Sequence, residues 1–288
     1  MSSITTPGLV FDMNDETYHA DPVPEGSLSS TFVRMLTDHV PAKAKALRDN
    51  RKPTRSMNLG KAAHRHALGA GPELITWQYD GRTKDGKAER AERAEDIAAE
   101  RVVAVTEAER EQIIGMADAL RLDAHVRRIL DSSQAEVSAF WQESETWMRA
   151  RYDLLGDIEP WDYKTCQDAS RRGFQLALKS WGYHQQAEFY QRGLAALGHP
   201  AGRRPMRFIC QETSAPYLVQ IHTPDDEAMD IARELNDRAI RLFAECNSTG
   251  IWPGYATLVA EPTPLPPSYF YDKADVLSMP ADPEVKLS

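Results

Sequence analysis

The sequence predicts an α/β (α+β) fold, a small mixed central sheet flanked by helices, and three observations carry that prediction. The segments VSAFWQES, TWMRARYDLLG and PWDYKT alternate or cluster β-branched and aromatic residues with turn signals between them. They read as three successive antiparallel strands. Two helical stretches, about 168–180 and 183–197, then precede MRFICQE and YLVQIHT, two further strands split by the turn Thr213-Ser214-Ala215-Pro216. Finally, Thr223 to about Cys246 forms a long amphipathic helix with Ile231, Leu235, Ile240 and Phe243 on its inner side.

The first half is predominantly helical. Residues 1 to about 28 read as an extended entry segment punctuated by Pro and Gly. Ser29 and Ser30 offer N-caps to a helix carrying Phe32, Val33 and Leu36, because a serine hydroxyl satisfies an orphan N–H of the first turn. A second helix spans about Met57–Leu68 and carries His64, and ELITWQY (73–79) reads as a short strand. Residues 84–101 mix both charge signs with almost no large apolar side chain, the pattern of a solvated helix face. Thr106 and Glu109 form a capping-box pattern ahead of a helix reaching about Leu130. Prolines at 262, 264, 266 and 267 forbid regular structure near the end. The division is therefore one domain over 1–255, helical over 1–130 with a sheet core over 131–255, followed by a Pro-rich tail over 256–288.

Composition narrows the function. The values of 42% hydrophobic and 27% charged residues are those of a soluble globular protein. No apolar run is long enough to span a membrane, and no signal peptide is visible, so the expectation is a cytoplasmic protein without membrane partners. Cys166, Cys210 and Cys246 are too few for a disulfide framework or a CxxC zinc site. There is no GxGxxG, and Arg55 stands where a P-loop needs glycine, so nucleotide hydrolysis is not indicated. The net charge of −9 counts against nucleic acid, unless basic residues gather on one inner surface.

The chemistry concentrates in RARYDLLGDIEPWDYKT. Residues i and i+2 of a strand share a face, so Asp162 and Lys164 project together, and a hairpin brings Asp153 beside them. Two carboxylates and an ammonium at one point of a sheet suit a hard divalent cation with oxygen ligands. The neighbouring Trp161, Ile158 and Leu155 predict a buried setting. Asp157 lies in the same hairpin and competes with Asp153 for the role of first acid. Arg34, Arg171, Arg172 and Lys179 are candidate phosphate contacts.

Four pieces occur in order: LGKAAHRHALG (59–69), RYDLLGD, WDYKT and YHQQAEFY (183–190). Together they resemble the PD-(D/E)XK nuclease superfamily, and within it the RecE-type (exonuclease VIII) and phage lambda exonuclease branch, over roughly residues 15–255. The resemblance implies a restriction-endonuclease-like core. It places His64 of the G-x-x-x-H motif, Asp153, Asp162 and the Tyr163 carbonyl as ligands of Mg²⁺ (or Mn²⁺). It also places Lys164 as the catalytic lysine with Asp153 and Asp162, and Gln186 and Tyr190 of Q-x-x-x-Y as holding the DNA strand or bracing the lysine. Three cysteines fall short of the four an iron–sulfur cluster needs, so none is expected.

The implied activity is exonucleolytic hydrolysis of one strand of duplex DNA from its end, 5′ to 3′. The 3′ single strand would pass to an annealing protein for recombination, in a phage- or prophage-encoded system. A cyclic trimer or tetramer is the matching assembly, since a ring lines its channel with the same few cations from every subunit. The alternatives left open are a RecB-like nuclease acting on other ends or flaps, and an inactive DNA-binding or assembly module.

Overall fold

A computed structural model describes residues 3–50, 55–69, 73–99 and 101–255, with the side chains of 55–59, 61 and 65 left aside. The Pro-rich tail therefore lies outside the described residues. One compact unit spans Met1–Pro253.

The entry segment is less extended than its composition implies. It contains strand β1 (Gly8–Val10) and a short helix α1 (Asp15–His19), capped by Asn14, before β2 (Leu28–Ser29). Ser29 then caps α2 (Ser30–Asp38), its hydroxyl accepting the Phe32 N–H at 3.4 Å. α3 (Pro41–Asp49) opens on proline, whose missing N–H costs nothing at that position. α4 (Arg55–Leu68) carries His64.

β3 is confined to Glu73–Thr76 and pairs in parallel with β4 (Val102–Val105), a strand the charged surroundings hid from the sequence. Between them the charged stretch forms the largely exposed helix α5 (Lys84–Ala98). The capping box of Thr106 and Glu109 is present and opens α6 (Glu107–Leu122). The single helix expected to reach Leu130 is two. Asp123 leaves helical geometry and its carboxylate accepts the N–H groups of His125 and Val126, starting α7 (Ala124–Ser132).

β5 (Ser133–Glu143), β6 (Thr146–Gly156) and β7 (Pro160–Cys166) are consecutive antiparallel strands, as their alternation predicts. α8 (Arg171–Trp181) and α9 (Tyr183–Ala196) meet at Gly182, whose φ of 65° is the left-handed geometry that glycine adopts without a Cβ penalty. A 3₁₀ turn (Pro200–Arg203) leads to β8 (Arg207–Glu212), parallel to β7, and β9 (Val219–His222), antiparallel to β8.

α10 (Asp226–Thr249) closes the unit. Its inner face holds Ile240 and Phe243 as expected, with Leu235 half-buried, but Ile231 is 49% exposed, and Ala232, Asn236, Ala239 and Cys246 complete the buried side. Small residues let α10 approach α9 closely, and the buried Asn236 side chain bonds the Gln185 carbonyl and Glu188.

Among the described residues the main sheet has seven strands in the order β1-β5-β6-β7-β8-β9, with β2 joined in parallel to β6. One face packs on α2, α9 and α10 through residues such as Phe32, Trp141, Tyr152, Phe189 and Phe243. The other packs on α4, α6 and α7 through Ala63, Met116, Ile129, Trp161 and Ile209. This is a mixed sheet between helical layers, the α/β class that the strand pattern predicts.

Candidate active site

The site forms where the β6–β7 ladder gives out. The two strands pair only at Leu154–Trp161 and Leu155–Pro160, and β7 then continues its pairing with β8 alone. Past that point the Tyr163 N–H would lack a ladder partner on the β6 side. Asp153 Oδ2 accepts it instead, at 2.8 Å. Asp157, its competitor in sequence, is exposed in the turn and does not join the cluster. Ile158 is likewise 56% exposed, whereas Leu155 and Trp161 are buried as expected.

β7 sorts its side chains as strand geometry requires. Asp162 and Lys164 share a side, with Lys164 Nζ 2.6 Å from Asp162 Oδ2. Tyr163 points the other way, where its hydroxyl donates to Gln211 Oε1 at 2.6 Å and its ring meets His64 edge-on. His64, from α4, places Nε2 2.9 Å from the Tyr163 carbonyl and 3.8 Å from Asp153 Oδ2. Asp162 is 1% exposed, and Gln186 Nε2 donates to its Oδ1 at 2.6 Å. Asp162 Oδ2 is buried and faces the Lys164 ammonium as its ion-pair partner.

Glu136 completes the cluster, and sequence reasoning missed it. The pairings Ala135–Leu154 and Val137–Tyr152 put it across from Asp153. Its φ of 55° is unusual for a non-glycine residue. Such backbone costs on the order of 1–3 kcal/mol and is found mostly where function holds it. One ligand atom each from His64, Glu136 and Asp153 lie within 4.8 Å of one another. The signal in the sequence was the hairpin register: the two-residue loop at Ser144-Glu145 fixes every partner outward along both strands.

The electrostatics are those of negative charge gathered out of water. Burial, with the Asp153 charge adding to it, pushes the Glu136 carboxyl up to about 8. Burial and Asp153 likewise push Asp162 up to about 6, against the opposing charge of Lys164. For Lys164, burial opposes the ammonium, but the charges of Asp162 and Asp153 outweigh it and hold its pKa above the ordinary lysine value. Arg151 approaches Glu136 at 3.6 Å and is itself engaged by Asp15.

Residues 29–260 match the family model described as a PDDEXK-like domain of unknown function (DUF3799). The chain belongs to that family. In fold it is also similar to a solved structure from Eubacterium rectale described as a "putative exonuclease", with TM-score 0.61 and 12% identity over 92% of this chain and 99% of that one. A second solved structure, SSO0001, gives TM-score 0.26 at 15% identity, covering 72% of this chain and 100% of that one, which supports no argument. No curated protein matches the chain.

The remaining residues singled out in this DUF3799 chain fall in different places. Gln186 bonds Asp162 directly, and through that carboxylate it reaches Lys164. Tyr190 is 8% exposed, its ring edge-on to Tyr152 and its carbonyl accepting the Tyr152 hydroxyl at 2.6 Å. That burial leaves it supporting the sheet under the site, although it touches a second cavity shared with Asp153. Arg34 is half-buried against Gly182 and lines neither of the two main cavities, so the structure does not bring it to the cluster.

His64, Glu136 and Lys164 line one cleft of about 1550 Å³. The donor set of a histidine nitrogen and carboxylate oxygens fits a divalent cation. Among the described residues, no helix is long and apolar enough to cross a membrane.

Proposed function

We propose that the protein is a Mg²⁺-dependent exodeoxyribonuclease that hydrolyses one strand of duplex DNA from its end, leaving a 3′ single strand. One observation carries this reading: His64, Glu136 and Asp153 converge within 4.8 Å beside the Asp162–Lys164 pair, with His64, Glu136 and Lys164 on the wall of one cleft. The 5′ to 3′ polarity, the transfer of the product to an annealing protein, and a cyclic trimer or tetramer follow from the resemblance to RecE-type and lambda-type enzymes.

The metal would be held by His64 Nε2 and the carboxylates of Glu136 and Asp153, with Asp162 and the Tyr163 carbonyl adjoining. When bound, Mg²⁺ supplies Lewis-acid stabilisation of phosphate oxygens and a lowered pKa for water. Lys164 stays protonated at neutral pH, because Asp162 and Asp153 stabilise its charge. Its ammonium can orient an attacking water or stabilise charge developing on the phosphate. Gln186 fixes the Asp162 carboxylate, which in turn fixes Lys164.

The decisive experiment incubates end-labelled linear duplex DNA and circular duplex DNA with the protein and Mg²⁺. Loss of label from the 5′ end of linear DNA, with circles intact, is the expected result. Cleavage of circles would replace the exonuclease with an endonuclease, and no cleavage in Mg²⁺ or Mn²⁺ would overturn the nuclease reading. Light scattering at micromolar concentration tests the ring separately, and a monomer there would remove it.

A further inference from the structure

Two arginines of β6 are held by the segment that leads up to β2. Arg149 and Arg151 stand two residues apart, so they share a side of the strand with Asp153. Arg149 pairs with Asp21 and donates to the Ser27 carbonyl at 3.0 Å and hydroxyl at 2.7 Å. Arg151, 8% exposed, donates to Asp15 Oδ1 at 2.9 Å, to the Met13 carbonyl, and to Ser138 Oγ at 3.1 Å. The Tyr18 ring lies against both guanidinium groups, 5.7 Å from that of Arg149 and 4.6 Å from that of Arg151. Met13, Asp15, Tyr18, Asp21 and Ser27 all precede residue 29, where the family match begins.

The two arginines differ in one respect. Arg151 Nε also lies 3.6 Å from Glu136 Oε2, whereas the polar partners of Arg149 are Asp21 and Ser27. A guanidinium is planar and rigid, so fixing its other corners fixes the corner that Glu136 faces. Asp15 supplies the negative charge on the far side. With it, the buried cation is shared between two carboxylates. Without it, the cation turns to Glu136, because a buried charge stripped of one partner is costly until it finds another. Glu136 is then contested between Arg151 and a metal ion.

We propose that Asp15 is a positioning residue for the metal site: by holding Arg151, it keeps the Glu136 carboxylate available to the ion alongside His64 and Asp153. The segment over 13–27 thus belongs to the active site without supplying a ligand. The inference rests on the proposed metal site and adds a residue that tunes it from outside.

The test measures Mn²⁺ binding to the chelator-treated full chain by isothermal titration, with Tm recorded for every variant. The Asp15 side chain is 39% exposed and Asp15→Asn keeps its shape, so the fold should tolerate the change. Asp15→Asn is expected to weaken Mn²⁺ binding by about 10- to 100-fold, the usual effect of losing a group that orients a ligand. Asp15→Glu, which keeps the charge, restores most of the affinity. Asp21→Asn removes the matching contact to Arg149 and is expected to bind Mn²⁺ as wild type does. In a Glu136→Gln background, Asp15→Asn is expected to add no further loss. Wild-type affinity in Asp15→Asn, an equal loss in Asp21→Asn, or additive losses with Glu136→Gln would overturn the positioning role, while Mn²⁺ binding by wild type upholds the metal site. A wild-type chain that binds no Mn²⁺ overturns both.

Discussion

Asp153 takes the place of a missing strand partner: its carboxylate accepts the Tyr163 backbone N–H at 2.8 Å, where the β6–β7 ladder has already ended. The oxygen that positions the backbone carrying Asp162 and Lys164 also lies 3.8 Å from His64 Nε2, and the carboxylate shares the cluster with Glu136. The geometry of the cluster is set by sheet topology first and by side chains second.

Metal affinity should depend on Glu136 as much as on the histidine. Glu136→Gln keeps the volume but removes one anionic donor from the group with His64 and Asp153. We expect it and His64→Ala each to weaken Mn²⁺ binding by at least about 10- to 100-fold. Isothermal titration of the chelator-treated protein reads this without any turnover. Unchanged affinity in Glu136→Gln would leave that residue as a partner of Arg151 alone.

The Asp162–Lys164 pair separates catalysis from stability. Each single change, Lys164→Met or Asp162→Asn, should lower cleavage by about 10²-fold or more, since charge stabilisation is lost from the reaction. Lys164→Met also leaves Asp162, 1% exposed, without its cation, and should lower Tm. The double variant should recover most of that Tm and none of the activity. Thermal melts and an end-label assay on the three proteins check both halves, and additive Tm losses would show that the pair is not coupled.

Gln186 offers a distinction between bracing and binding. Its amide bonds Asp162 Oδ1, and Gln186→Ala would leave that buried oxygen without a donor, at about 1–3 kcal/mol. The expected kinetic signature is a lower kcat with KM for DNA little changed. A rise in KM alone would return Gln186 to the role of a strand contact.

Much of this was readable in advance because it is local. The i, i+2 rule puts Asp162 and Lys164 together, and the serine ahead of α2 and the Thr106–Glu109 box mark helix starts by their own hydrogen bonds. What was not readable depends on partners distant in the chain. Glu136 has no motif and joins the cluster only through the register of an eleven-residue hairpin strand. Ile231 looked like a core residue by its period, but α10 turns its alanine and asparagine face to α9 because close helix approach favours small side chains. Asp123 broke a helix that hydrophobic periodicity alone would have continued, because its carboxylate caps better than it propagates.

The last prediction concerns pH in the absence of metal. Glu136 and Asp162 both have folded-state pKa values raised above the ordinary carboxylate range, to about 8 and about 6, by burial and by the Asp153 charge. A raised carboxyl binds its proton more tightly in the folded chain than in the unfolded one, so protonation favours the fold. The contribution is full below the ordinary values of 4.5 and 3.8 and is lost as pH rises through the folded values. Chelator-treated protein should therefore lose stability from these two groups between about pH 4 and pH 8, where acid-labile proteins gain it. Glu136→Gln, uncharged throughout, should flatten the upper part of that slope, and Mn²⁺ at pH 8 should restore stability by binding the ionised carboxylates. Urea midpoints at pH 5 and pH 8, for wild type and Glu136→Gln with and without metal, measure these three effects. A wild-type midpoint no more sensitive to pH than that of the variant would mean that Glu136 ionises freely, and that its carboxylate is solvated in the folded protein.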